Sequence, residues 1–389
     1  MLEFVTAGES HGKGLTAVIS GIPSGLKVDM EVINRELRRR QGGYGRGGRM
    51  KIEKDRLEIL SGVRFGRTLG SPVTFWIENR DWANWEVPMS AEAREASAEE
   101  RRQVTRPRPG HADLAGALKY DTRDLRDILE RSSARETAAR VAAGALARLF
   151  LREFGIEIAS HTLSVGEVAL PEEFPRSFEK LQLISEDPEI RCLDGETGRR
   201  MIEAIKAVHL AGDTIGGSFE VVAHRVIPGL GSHTSWDKRL DGRLAQAVMS
   251  IPAVKAVEIG AGILTGRTPG SRVHDEIFYT PEKGFWRTSN NAGGLEGGIT
   301  NGEDVVVRGH IKPIPTLRKA LKSVDINTKE PFAAAYERSD TCVVPAAGVV
   351  GEAMAALVLA EAFLEKFGGD SLEEVRRNCE GYREQLRQF

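Results

Sequence analysis

Two alanine-rich stretches, residues 134–154 and 346–367, constrain the fold of this chain more than any other feature. Each is long enough for about six helical turns. Each has so few polar breaks that no face is made for water. Both are therefore expected to be buried on most sides. Their surroundings also match. Glu130-Arg131-Ser132 precedes the first and Glu337-Arg338-Ser339 the second, while Phe154-Gly155 and Phe367-Gly368 end them. This reads as a faint internal duplication, two similar halves that pack their long helices together. Chance recurrence of a three-residue string is the alternative.

Around these helices the pattern is mixed. Strands fit residues 15–20, 57–63, 73–77, 158–163, 218–226, 254–259 and 304–311. Asp29 reads as the N-cap of a helix through Arg40, with Met30, Ile33 and Leu37 on one face and Gly42-Gly43 as its stop. Residues 90–102 read as a charged, exposed helix. The strands come in runs rather than in βαβ alternation, which predicts an α+β fold. No linker divides the chain, so residues 1–389 are expected to form a single domain.

An apolar fraction of 41% is ample for a core, and a net charge of −2 argues against a dedicated nucleic-acid or membrane-surface binder. Cys192, Cys342 and Cys379 lie far apart, which excludes a disulfide framework or structural zinc site and fits a reducing cytoplasm. Residues 1–11 have neither a basic nor an apolar segment, so no signal peptide is expected. The best uncharged apolar run, 353–360, is bounded by Glu352 and Glu361 and is too short to span a membrane. A cytoplasmic protein is expected.

The charge is chemically biased. Arginine outnumbers lysine 39 to 15, and residues 1–150 carry a net +5 against −7 for the rest. Arginine is the fork-shaped donor that grips phosphates and carboxylates with two parallel bonds. Much of it sits in strings with glycine, proline or histidine. Gly8-Glu9-Ser10-His11-Gly12 presents an imidazole on a turn, either for proton transfer or as a plain surface histidine. The segment from Arg38 to Arg49 alternates arginine and glycine and could fold over an anion. It also looks like a single RGG box for RNA. Arg106-Pro107-Arg108-Pro109-Gly110-His111-Ala112-Asp113 holds a second arginine and histidine in a rigid turn. Ser133 and Glu136 have the spacing of a capping box, beside Arg131 and Arg135. No Walker loop, complete Rossmann fingerprint, metal-ligand spacing or G-x-S-x-G elbow is present. The chemistry therefore points to proton transfer, with no metal and no covalent nucleophile.

These strings, together with Gly212-Asp213-Thr214-Ile215-Gly216-Gly217, residues 290–302, Lys312 to Thr316 with Val324-Asp325, and Arg338-Ser339-Asp340, strongly resemble the chorismate synthase family over essentially the full length. The resemblance implies a lyase of the shikimate pathway. Such enzymes convert 5-enolpyruvylshikimate 3-phosphate to chorismate by trans-1,4 elimination of phosphate, using reduced FMN without net redox change. It implies a β-α-β sandwich with an internal pseudo-repeat, long central helices between antiparallel sheets, and a homotetramer. By the same resemblance His11 protonates the departing phosphate, with Ser10 beside it as a proton relay. His111 protonates the reduced flavin, and Asp340 takes the C6 proton. Arg40, Arg46, Arg49, Arg108 and Arg135 match the pocket for the substrate's phosphate and two carboxylates, and Arg40 and Arg46 are sometimes assigned to NADPH instead. Arg131, Ser132, Ser133, Pro252, Ala253, Gly297, Lys312, Pro313, Ile314, Pro315, Thr316 and Arg338 match flavin-binding positions. Other members carry Asn where Pro252 stands, which removes a side-chain hydrogen bond there. Some members reduce their own flavin with NADPH; with no nicotinamide fingerprint in this chain, an external flavin reductase is expected. RNA binding through the arginine and glycine segment, and a flavin reductase without lyase activity, are the competing readings.

Overall fold

The computed structural model describes residues 2–47, 54–172, 174–334 and 340–389. In the first half, strands β1 (Glu3–Ala7) and β2 (Gly14–Ser20) precede helix α1 (Met30–Gln41). Strands β3 (Leu57–Ser61) and β4 (Val73–Glu78) follow, then helices α2 (Asp113–Tyr120), α3 (Arg126–Ser132) and α4 (Thr137–Arg152). The second half runs β5 (Glu157–Val165), α5 (Phe178–Ile184), α6 (Gly195–Leu210), β6 (Gly217–His224), α7 (Leu240–Met249), β7 (Val254–Ile259) and β8 (Val305–Ile311). Helix α8 (Val344–Phe367) comes next, and α9 (Leu372–Gln388) closes the chain.

The first sheet has the order β1-β2-β4-β3. The second has β5-β6-β8-β7, with a short strand Val168–Ala169 on the far side of β5. Every pairing is antiparallel. Both halves thus order their four main strands alike, place one helix between the second and third strands (α1, α7), and send a long helix after the fourth (α4, α8). Helix α4 lies on the first sheet, α8 on the second, and the two helices pack on each other. Alternation in the strands fits this: Val73, Phe75 and Ile77 of β4 and Val305, Val307 and Ile311 of β8 are buried, with more open residues between them.

Small residues let the layers close. A Cβ on Gly144 of α4 would stand 2.4 Å from the Ala353 Cβ of α8, and one on Gly351 would stand 2.7 Å from the Phe219 ring on β6. Gly144→Ala should therefore destabilise the fold by about 1–3 kcal/mol through overpacking, despite a helix-propensity gain of about 1 kcal/mol. Urea denaturation measures this, and a variant as stable as the wild type would show that the helices can part without loss. Helix α8 has the length and mean hydropathy of a membrane span, but 94% of its apolar window is buried inside the molecule.

Some expectations shift. Residues 134–136 form a 3₁₀ turn ahead of α4. The 57–63 strand ends at Ser61, because Gly62 has φ +82° and turns the chain. Residues 90–102 are irregular and end in a turn at 98–102, with no helix. That segment is exposed along nearly its whole length and has no apolar stripe to dock, and an isolated helix so short is marginal in water. The capping box is not reciprocal either: Ser133 Oγ accepts from the Arg135 N–H, and Glu136 pairs with Arg140. The second Glu-Arg-Ser string lies outside the described residues.

Candidate active site

The N-terminal ends of α4 and α8 open side by side onto a cavity of about 430 Å³. Helix N-termini favour negative charge, so the pseudo-symmetric packing of the halves aims two of them at one place. The expected proton-transfer residues Ser10, His11, His111 and Asp340 all line this cavity, although they come from three separate stretches.

Ser10 and His11 ride on the β1–β2 turn. Gly8 has φ +106°, and a Cβ there would stand 2.3 Å from the Gly14 carbonyl oxygen, so only glycine lets the turn be this narrow. Asn79 Nδ2 donates to the carbonyls of Glu9 and Gly12 and pins the turn to the end of β4. Ser10 Oγ donates to Ser133 Oγ at 3.1 Å. The His11 ring contacts the Glu130 carboxylate at 2.9 Å and stacks on Trp85 at 3.8 Å between centroids.

The cationic wall is largely buried. Arg135 Nη1 lies 2.5 Å from Asp55 Oδ1, and Arg40 Nη1 lies 3.4 Å from Asp55 Oδ2. Arg40 also donates to Thr137 Oγ1 and the Ala134 carbonyl. Burial pushes the Arg40 guanidinium down to about 10; Asp55 opposes this, while Arg135 and Arg46 add to it. An arriving anion would relieve that crowding of positive charge. Arg46 pairs with Asp340 at 3.0 Å, and the Gly47 N–H donates to the same carboxylate. The glycine loop is tied down elsewhere too, Gly43 and Tyr44 donating to the carbonyls of Pro188 and Glu189.

Elsewhere in the lining Arg108 forks onto Asp113 at 2.8 and 3.0 Å, and His111 Nδ1 donates to Asp113 Oδ1 at 2.5 Å. Burial alone would raise the Asp113 carboxyl, but the His111 and Arg108 bonds outweigh it and hold the group well below the usual carboxylate range. Lys312 Nζ donates to the Gly110 carbonyl. A third wall is apolar: Ile251, Pro252, Ala253, Ile314, Pro315 and, from the first turns of α8, Ala346, Ala347 and Val350. An apolar stretch of lining beside cationic ones suits a planar heterocycle with a phosphorylated tail, and the volume lies within the usual range for such ligands.

Of the remaining expected residues, Ser132, Ser133 and Thr316 line the cavity. Arg131 stands behind it, donating to the Thr6 and Gly8 carbonyls. Pro313 and Gly297 are not in its lining, Gly297 lying near His233. Arg49 and Arg338 fall outside the described residues. Asp55, Asn79 and Trp85 belong to no string, and nothing in the local sequence marks them. The described part of this segment, residues 38–47, does not form the free tail an RNA binder needs, because Arg39 and Arg40 are buried in α1.

Comparisons with known proteins agree along the whole chain. The family model described as chorismate synthase matches residues 2–364. The chorismate synthase of Geobacter sulfurreducens is 58% identical across 100% of both chains. That of Aquifex aeolicus is 56% identical, covering 100% of this chain and 99% of its own. A crystal structure of chorismate synthase superposes with a TM-score of 0.80 at 47% identity, covering 100% of this chain and 99% of that one. The chain belongs to the chorismate synthase family, lyases of aromatic amino acid biosynthesis.

Proposed function

We propose that the cavity between the two helix ends is where this family member eliminates phosphate from 5-enolpyruvylshikimate 3-phosphate, with reduced FMN bound beside the substrate. The observation that carries this reading is the meeting of Ser10, His11, His111 and Asp340 with Arg40, Arg46, Arg108 and Arg135 in one hollow. Three anionic groups on the substrate match that set of guanidiniums, with Arg49 as a further member. Flavin would be held against Pro252, Ala253, Ile314, Pro315 and Thr316, with Lys312, Pro313, Ser132 and Ser133 toward its polar edge and tail. Arg131, acting from behind the wall, and Arg338 complete the set, while Gly297 stands off this lining. When bound, reduced flavin supplies electron density to the allylic system as phosphate departs.

The chain's own residues do the rest. The arginines orient the substrate and stabilise charge on the departing phosphate. His11 gives that phosphate a proton, and the Ser10–Ser133 hydroxyl pair offers a route to replace it. Asp340 accepts the proton from C6. Because Asp340 is paired with Arg46, a substrate anion reaching Arg46 competes for the same guanidinium and releases the carboxylate for its task. His111, anchored by Asp113, keeps a proton available to the flavin. The matching strand order of the two sheets supports the sandwich with an internal pseudo-repeat. A homotetramer in the cytoplasm, supplied with reduced flavin by a separate reductase, completes the proposal, with no role for nucleic acid or membrane.

The test is anaerobic. Purified protein with photoreduced FMN and substrate should release phosphate and form chorismate, and no phosphate release would end this reading. NADPH alone should fail to bleach bound FMN; bleaching would show that the protein reduces its own flavin.

A further inference from the structure

Glu130 is not among the residues the family resemblance assigns, yet it holds both members of the Ser-His pair. Its backbone carbonyl accepts the Ser10 N–H at 3.0 Å. Its carboxylate accepts the His11 backbone N–H at 2.8 Å, and His11 Nδ1 lies 2.9 and 3.0 Å from its two oxygens. Arg126, one turn earlier on α3, donates to the same carboxylate at 3.0 Å. Burial pushes the Glu130 carboxyl up, but the bonds from His11 and the charge of Arg126 outweigh it, and the group is held below its ordinary value. An ionised carboxylate only accepts hydrogen bonds, so the nitrogen facing it carries the hydrogen.

The ring is fixed in its other dimension as well. It stacks on Trp85 with an interplanar angle of 24°. Trp85 is itself anchored through Nε1 to Asp81 Oδ2 at 2.9 Å, with the Arg102 guanidinium 4.1 Å from its ring centroid. Edge and face are thus both clamped, and the freedom left to the imidazole is small. His161 and His224 also pair with carboxylates, Glu220 and Asp304, but neither lines the cavity. Near-total burial of a carboxylate against a cavity histidine is what a positioning pair requires.

We propose that Glu130 is the positioning residue of His11, fixing a proton on Nδ1 so that Nε2 is the nitrogen that serves the cavity. This rests on the reading of His11 as the acid. The proton given to a phosphate oxygen comes from Nε2 of the imidazolium, and the ring is left neutral with its remaining proton on Nδ1, shared with Glu130. Glu130 touches no substrate atom and acts only through the histidine.

Two measurements separate this role from a merely structural one. In Glu130→Gln, which keeps the shape and loses the charge, kcat for phosphate release should fall on the order of 10²-fold, with KM little changed. The double variant His11→Ala/Glu130→Gln should be no slower than His11→Ala alone, since Glu130 has nothing left to position. Wild-type kcat in Glu130→Gln, or losses that multiply in the double variant, would overturn the proposal. The second readout needs no turnover. Imidazole ¹⁵N resonances, assigned by their loss in His11→Ala, should show the neutral wild-type ring protonated on Nδ1. Glu130→Ala should admit the Nε2–H tautomer. A wild-type ring protonated on Nε2 would overturn the proposal, and the wild-type spectrum decides even if Glu130→Ala fails to fold. If His11→Ala turns over normally, the acid role of His11 fails, while the tautomer is still read from the spectrum.

Discussion

His11→Ala should slow phosphate release by on the order of 10²-fold or more, the usual contribution of a positioned general acid. At about 1.36 kcal/mol per factor of ten, that is a barrier increase of roughly 3 kcal/mol or above. The loss should fall on kcat, because the cationic wall that binds the substrate's anions is built separately: Arg40 and Arg135 hang on Asp55, and Arg108 hangs on Asp113. Neither carboxylate belongs to the β1–β2 turn, and Arg135 meets that turn through Asn79, which holds its backbone and not the His11 ring. Affinity for FMN should be retained for the same reason, the apolar wall being made by residues 251–253, 314–315 and the first turns of α8. The measurement is the anaerobic rate of phosphate release with photoreduced FMN, beside a flavin titration of the same variant. Near-normal turnover would return His11 to a structural part in the turn. Loss of flavin binding together with rate would mean that the alanine collapsed the cavity and that the acid role was not isolated.

How far the sequence announces this arrangement depends on the range of the forces involved. Helices α1 and α8 and the main strands are written locally. Asp29 caps α1 by accepting from Glu31 and Val32, and period-two burial marks β4 and β8. The catalytic strings are also local, since histidine and arginine must sit on tight glycine or proline turns to be presented at all. Strand order is different. That β4 lies between β2 and β3, and β8 between β6 and β7, depends on which apolar faces meet after collapse, and only the repeated neighbourhood of the two long helices hints at it. Asp55 lies furthest from legibility: it belongs to no motif, yet it is the carboxylate that sets Arg40 and Arg135 side by side. Ser133 shows a subtler failure. Its spacing to Glu136 predicts mutual capping, but the Ser10 hydroxyl donates to it, and the helix starts with a 3₁₀ turn instead. A long-range partner overrode a local rule at the spot where the site is assembled.

Glu352→Gln should be among the most destabilising single changes in the molecule, because Glu352 is the hub of a charge network sealed between the two halves. It lies in the N-terminal half of α8 and is fully buried. It takes two bonds of 2.8 Å from Arg39 of α1, one of 2.6 Å from Arg148 of α4 and one of 2.7 Å from Ser160 of β5. Glu36 of α1 shares both guanidiniums, Arg148 at 2.8 Å. Two carboxylates thus face two guanidiniums, and all four side chains are buried. A neutral amide keeps the shape but leaves positive charge buried without its counter-ion, a loss of about 3–5 kcal/mol. The pH dependence follows from the same geometry. Burial raises the Glu352 carboxyl, but Arg39 and Arg148 outweigh it and hold the folded-state group well below its ordinary 4.5. The stabilisation is therefore complete above the unfolded value and is lost as the pH falls through the depressed folded one. Urea denaturation at neutral pH should show the full deficit of the variant, and the gap to the wild type should narrow on acidification below about pH 4.5. A deficit under about 1 kcal/mol at neutral pH, or a gap that widens in acid, would mean that water or a rearranged Glu36 replaces the missing carboxylate and that the two halves are joined by apolar packing alone.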